Sequence, residues 1–368
     1  MGLRWMRWAS RPFRGANHDE YEAPPVQGSP PLDFRRGPTK VNFPTMTRSP
    51  ALTDGPVPPE LLSEIVAQSS RPVPEVLDPL VRLLQDRFGD SLRSVLLYGS
   101  CLHAGDPTEG IVDLYAVVSD YRAAFSAGVL RWFNTLLPPN VFYAEVTEGG
   151  VTLRAKYAVL SAADFSDGAT RWFHSYVWAR FAQPARVLYA RDADALSLVH
   201  RTLAHAVLTF LGNALPTLAG EDVGAEEVWT RGLSLTYASE LRPEGAARVR
   251  WLTERNLPDY ARLTEAAAPA LGPLLRHTQG GRWLATATSA DRRRSLRRWR
   301  VRRWQGKLLS VLRLGKSIFT FAGGVDYVAW KVHRHTGVVV EVTPSMRRHP
   351  ILVAPWKLLW LLRRGIVR

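Results

Sequence analysis

Ser94-Val-Leu-Leu-Tyr-Gly-Ser100 is followed, ten residues on, by Ile111-Val-Asp-Leu-Tyr-Ala-Val-Val-Ser-Asp120. Both are short apolar runs bounded by polar or glycine residues, the signature of buried strands. The first ends in Gly99-Ser100. A glycine lets backbone approach anionic oxygens with no Cβ in the way, and a serine hydroxyl with neighbouring amides can hold phosphate. The second run carries Asp113, a ligand type suited to Mg²⁺. Side chains alternate along a strand, so Tyr115 shares the face of Asp113 and no second acid stands there. Asp120, an odd number of residues away, faces the other side. Glu145, in Val141-Phe-Tyr-Ala-Glu-Val146, is the candidate to complete a metal site with Asp113. Its strand is expected to pair beside that of Asp113, with the carboxylates about 4–6 Å apart. The alternative role for Glu145 is a solvent-facing strand acid.

Outward from these runs, Leu61, Leu62, Ile65 and Val66, then Leu80, Leu83, Leu84 and Phe88, recur at helical spacing, and Gly89 is a natural stop. A helix is expected over 123–137, closed by Pro138 and Pro139. The segments 141–146 and 151–161 flank Gly149-Gly150 and predict a β-hairpin. Apolar-periodic helical segments follow to about residue 290. Residues 1–58, rich in proline and without periodicity, are expected to be disordered. The chain therefore divides into 59–165, a small mixed α/β domain; 166–290, a helical domain; and 291–368, a basic amphipathic region.

The chain has 368 residues, 46% hydrophobic and 22% charged, which excludes a wholly disordered, collagen-like or coiled-coil protein. One cysteine, Cys101, excludes an intramolecular disulfide or a cysteine metal cluster, and no activating partner for a nucleophilic thiol is evident. A net charge of +15 favours a polyanionic partner. The surplus concentrates in Arg292–Arg303, with eight arginines in twelve positions. Interleaved Leu296, Trp299, Val301 and Trp304 favour a helix lying among anionic lipid headgroups over a nucleic-acid patch. Trp356 and Trp360 beside Arg363 and Arg364 repeat that character. No uninterrupted run of 18 apolar residues is present.

The glycine-serine turn followed by a strand carrying Asp113 resembles the polymerase-β-like nucleotidyltransferases. The order of further motifs narrows the resemblance. Tyr98-Gly99-Ser100, Val112-Asp113-Leu114, Lys156-Tyr157-Ala158-Val159, Tyr176 to Pro184, Leu235 to Arg242, Gln305-Gly306-Lys307 and Lys316 to Thr320 resemble the mitochondrial-type phosphatidate cytidylyltransferases. These are the translocator assembly and maintenance type of peripheral CDP-diacylglycerol synthase. The likeness spans roughly residues 60–335 in the right order. Ala158, Trp178-Ala179 and Glu240 depart from the family pattern and mark a divergent member.

The resemblance implies an α+β nucleotidyltransferase domain, a helical domain and the reaction CTP + phosphatidate → CDP-diacylglycerol + pyrophosphate with Mg²⁺. This is a step of phospholipid and cardiolipin biosynthesis. It implies Asp113 on the metal, Gly99 and Ser100 around the triphosphate, and Lys156, Arg180, Tyr237 and Arg242 at anionic oxygens of either substrate. It also implies peripheral attachment to the cytoplasmic face of a bacterial inner membrane, or to the matrix side of the mitochondrial one, with no nucleic-acid partner. The rival readings are transfer to a different acceptor and a catalytically inactive membrane-surface binding protein.

Overall fold

The two apolar runs become antiparallel neighbours. In the computed structural model, β1 (Leu92–Tyr98) and β2 (Val112–Val118) pair with Tyr98 opposite Asp113 and Leu96 opposite Tyr115. The structure describes residues 55–320, except 103–105, 109, 127 and 242–244, and all of them fall in one compact unit, 40–368. The N-terminal segment, Arg242 and the tryptophans near the C-terminus lie outside the described residues.

Two helices precede the sheet. α1 (Pro59–Ser69) starts on a proline, whose missing N–H costs nothing in a first turn. α2 (Asp78–Phe88) buries Leu80, Leu84 and Phe88 on one stripe and stops at Gly89, whose φ of 48° suits a glycine. After β2 the helix expected over 123–137 is two helices, α3 (Tyr121–Ala124) and α4 (Val129–Leu136), separated around Gly128. Asp120 accepts hydrogen bonds from the Arg122 and Ala123 amides and caps α3.

The predicted hairpin forms: β3 (Asn140–Glu148) and β4 (Val151–Ser161) turn through Gly149 and Gly150, both at positive φ. The hairpin joins the sheet through β4, which runs parallel to β2 with Asp113 opposite Lys156. The five strands take the order β3-β4-β2-β1-β5, with β5 (Ala185–Ala190) antiparallel to β1. β4 therefore lies between the strands of Glu145 and Asp113, against the expectation that those two strands pair. The sequence carries the physical reason. Tyr157 to Leu160 is a continuous apolar run suited to a strand covered on both faces, whereas β3 alternates buried Phe142 and Ala144 with exposed Tyr143 and Glu145.

Helices cover one face with the following elements: α5 (Ala162–Thr170), α6 (Trp178–Phe181), α7 (Ala193–Ala214), α8 (Ala225–Tyr237), α9 (Ala246–Ala267) and α10 (Ser289–Thr320). A small sheet of β6 (Asp222–Val223), β7 (Leu275–His277) and β8 (Trp283–Ala285) sits among them. Leu96, Tyr115 and Val117 share one core with Leu61, Phe165, Val207 and Trp229. The opposite face packs Val95, Leu97 and Leu114 on α2. Because β5 completes the sheet and the later helices share its core, that core is continuous across residues 165 and 166.

α7 is long and apolar enough to cross a bilayer by length and composition, yet 72% of its apolar window is buried inside the protein. It is the central core helix, with Phe210 stacked on Trp229 and Trp229 on Tyr260 at 4.6 and 3.8 Å.

α10 carries the arginine run and docks by one face. Trp299, Arg302, Leu309 and Lys316 are buried. Trp299 Nε1 donates to the Asn213 carbonyl at 3.0 Å. Arg302, 2% exposed, donates to the Phe173 carbonyl at 2.6 Å and to Asn213 Oδ1 at 2.9 Å, among the rings of Phe173, Trp178 and Trp299. Burial, and then neighbouring Arg298, push its guanidinium down to about 9. The run expected to lie among headgroups is thus partly an interior surface.

Candidate functional site: a cationic cleft at the end of the first strand

β1 ends at Tyr98 and the chain turns at Gly99, which takes φ 81°, a conformation that disfavours any Cβ. A Cβ there would stand 3.1 Å from Asp113 Oδ2. The Asp113 carboxylate therefore fills the space beside the turn that a side chain at residue 99 would need. Lys156 reaches across from β4, with Nζ 2.8 Å from Asp113 Oδ1. Gly99, Asp113 and Lys156 therefore belong to one constellation. The hydroxyl position of Ser100 lies outside what the structure describes.

Behind this group is Tyr115, fully buried against Tyr98 and Phe181 with both ring centroids at 4.8 Å. Its hydroxyl accepts from Arg180 Nη1 at 3.3 Å. Burial holds this phenol far above its ordinary range, so a neutral hydroxyl occupies the position two residues beyond Asp113. Arg180 also approaches Glu240 at 3.4 Å.

Gly99 and Tyr98 form one wall of a cleft of about 220 Å³. Tyr176, Arg180 and Gln183 contribute the second wall, and Tyr237 with Glu240, from the end of α8, the third. α10 closes it with Gly306, Ser310 and Arg313. The close approach of α10 depends on Gly306, since a Cβ there would fall 2.3 Å from the Ser239 carbonyl oxygen. Tyr237 donates to Gln183 Oε1 at 3.2 Å, joining two walls.

The cleft is electropositive. Two guanidiniums sit over the Tyr176 ring, Arg313 at 4.1 Å and Arg180 at 4.6 Å from its centroid. Burial pushes the Tyr176 phenol up, but Arg180 and Arg313 outweigh it and the net direction is down. His174 is held well below its ordinary value, first by burial and then by Arg313 and Arg302, so it is neutral at pH 7. Burial likewise raises the Cys101 thiol, in keeping with a non-nucleophilic cysteine.

Of the residues singled out in the sequence, Gly99, Arg180 and Tyr237 line the cleft, and Asp113 and Lys156 stand at the Gly99 turn. Glu145 does not join them. It accepts from the Tyr143 hydroxyl at 2.8 Å and pairs with Arg154 at 3.2 Å. With Tyr143 opposite Lys156, Glu145 is two strands over and two residues out of line, about 12 Å from Asp113 along the sheet. Among the described residues no group of three or more His, Cys, Asp or Glu could hold a metal.

Arg313 and Ser310 carry no sequence signal of their own, and His174, which lacks metal-ligand spacing and reads as structural or exposed in the sequence, lines the cleft. The signal for α10 was Gly306 and Ser310, four residues apart, a small-residue face that permits close helix approach ahead of Arg313. In comparisons with known proteins, no family model and no curated sequence matched the chain.

Proposed function

We propose that the protein is a Mg²⁺-dependent nucleotidyltransferase that joins CTP to phosphatidate at an anionic membrane surface, giving CDP-diacylglycerol and pyrophosphate. The observation that carries this reading is the Gly99 turn, closed on Asp113 with Lys156 beside it and opening on an electropositive cleft. The ordered resemblance from Tyr98 to Thr320 supports the choice of CTP and phosphatidate. A phosphatidate oxygen attacks the α-phosphorus of CTP in line. The bond from that phosphorus to the bridging oxygen breaks and pyrophosphate leaves with the electron pair. The protein supplies positioning and charge neutralisation. Gly99 offers open backbone to the triphosphate, and Lys156 has donors to spare beyond its bond to Asp113. Arg180, with Tyr237 and Arg242, would bind further anionic oxygens.

One carboxylate, Asp113, is compatible with Mg²⁺ that arrives on the nucleotide, because this ion is commonly held by one or two carboxylates plus substrate phosphates. Bound there by Asp113, Mg²⁺ would neutralise charge on the phosphates.

The outer face of α10 supports attachment to a membrane surface. Val301, Trp304, Leu308 and Leu312 are exposed along one stripe, Trp304 to 70%, flanked by exposed Arg297 and Arg300. A second reading, a catalytically inactive binding protein, draws on Tyr115 at the position of a second acid and on the Lys156–Asp113 ion pair. Pyrophosphate release with each of the four NTPs, with and without phosphatidate vesicles, separates the readings. Release with CTP and phosphatidate alone is expected. Vesicle binding without release from any nucleotide supports the inactive reading, and release dependent on another acceptor supports a different transferase.

A further inference from the structure

We propose that Arg313 of α10 and Arg180 together form a two-guanidinium clamp that grips a phosphomonoester or terminal phosphate dianion inside the cleft. The inference rests on the nucleotidyl-transfer reading, and it adds α10 to the substrate-binding walls.

Both guanidiniums are fixed before any ligand arrives. Arg313 Nε donates to the Pro138 carbonyl at 3.1 Å, which orients the fork, while its Cζ sits over the Tyr176 ring. Arg180 is held by Tyr115 Oη and packs over Tyr176 and Tyr98. Arg313 is pushed down chiefly by burial; Tyr176 and Tyr115 oppose that shift, and Arg180, as a like charge, adds to it. Two cations share a cleft whose lining holds one carboxylate, Glu240. Among the described residues no carboxylate pairs with Arg313. Glu240 offsets Arg180 at 3.4 Å, so Arg313 is the cleft guanidinium without a carboxylate, and a bound anion would compensate it. The planar fork of arginine matches phosphate geometry bidentately, and anchoring by backbone and aromatic rings limits the ordering cost of binding.

Ser310, one turn before Arg313 on the same helix, also lines the cleft and offers a way to cancel the clamp without removing an arginine. Calorimetric titration of the full chain with water-soluble dihexanoyl phosphatidate, inorganic pyrophosphate and CTP would test the proposal. The variants are Arg313→Gln, Ser310→Glu and, as a control on the small sheet, Arg276→Gln. Thermal denaturation of each variant establishes that it is folded.

Loss of a charge-assisted hydrogen bond should weaken binding roughly ten- to hundredfold in Arg313→Gln. Ser310→Glu should lose a similar factor, and Arg276→Gln should stay within about twofold. Selective loss of dihexanoyl phosphatidate assigns the clamp to the lipid phosphate. Loss of CTP and pyrophosphate together assigns it to the nucleotide. Wild-type affinity for all three ligands in folded Arg313→Gln overturns the clamp, as does failure of the wild-type protein to bind any of them. Phosphate binding that needs Arg313, in a protein that releases no pyrophosphate, leaves the clamp standing and removes the transferase reading.

Discussion

Lys156 and Asp113 face each other across the parallel pairing of β4 with β2, with Nζ and Oδ1 2.8 Å apart and both side chains partly open to solvent. The pair joins the two halves of the candidate chemistry, a carboxylate for Mg²⁺ and an ammonium for phosphate. Asp113→Asn keeps the size of the side chain and removes its charge. Turnover should fall by two or more orders of magnitude while the melting temperature changes little. Wild-type turnover in the folded variant, measured as CTP-dependent pyrophosphate release, would remove Asp113 from the reaction.

Gly99 is the most constrained position near that pair. Gly99→Ala places a Cβ at φ 81° and 3.1 Å from Asp113 Oδ2. A left-handed conformation costs an L-residue about 1–2 kcal/mol, so urea denaturation should show a loss of that order. Activity should drop more steeply than stability, because the turn must shift away from the carboxylate. An unchanged denaturation midpoint together with unchanged turnover would contradict the tight-turn account.

Much of this arrangement is readable from local pattern. The apolar runs at 94–100 and 111–120, the Gly149-Gly150 hairpin and the stop at Gly89 are each specified by neighbouring residues, and each appears as expected. Glu145 was misplaced because strand order is a long-range property. Alternation fixes which face Glu145 takes, and it says nothing about which strand lies next to β3. The arginines of α10 pose a similar problem. Composition alone does not distinguish Arg302, packed among three aromatic rings, from Arg300, which is exposed. The distinction comes from Trp299 and Leu309, which share the buried stripe with Arg302.

Lys316 predicts a pH-dependent stability. The residue is 5% exposed, its Nζ donates to the Leu137 and Pro139 carbonyls, and burial followed by Arg313 pushes it down from 10.5 to about 6. Between roughly pH 6 and 10.5 the unfolded chain holds a proton on this residue that the folded chain lacks, so folding stability rises with pH across that window. The slope from one such group is at most about 1.4 kcal/mol per pH unit. Denaturation at pH 6, 7, 8 and 9 should show this rise in the wild type and a shallower one in Lys316→Met. Parallel profiles would mean that Lys316 stays charged in the fold, held by its two carbonyls.

The outward stripe of α10 should govern membrane attachment separately from the cleft. Trp304 and Leu308 lie four residues apart on a face that the core does not use, while Trp299 and Arg302 dock the opposite side of the helix. Trp304→Ser with Leu308→Ser removes exposed apolar surface and should leave the fold intact, since surface changes of this kind usually shift stability by less than about 0.5 kcal/mol. Co-sedimentation with vesicles containing phosphatidate should fall several-fold in the double variant, while soluble CTP binding stays at the wild-type value. Arginines near an anionic surface contribute about 1 kcal/mol each and are screened by salt, so raising the salt concentration should release the wild-type protein as well. Undiminished sedimentation of the double variant at low salt would show that this face of α10 is not what touches the bilayer. Equal loss of vesicle and CTP binding would show that the stripe and the cleft are not independent.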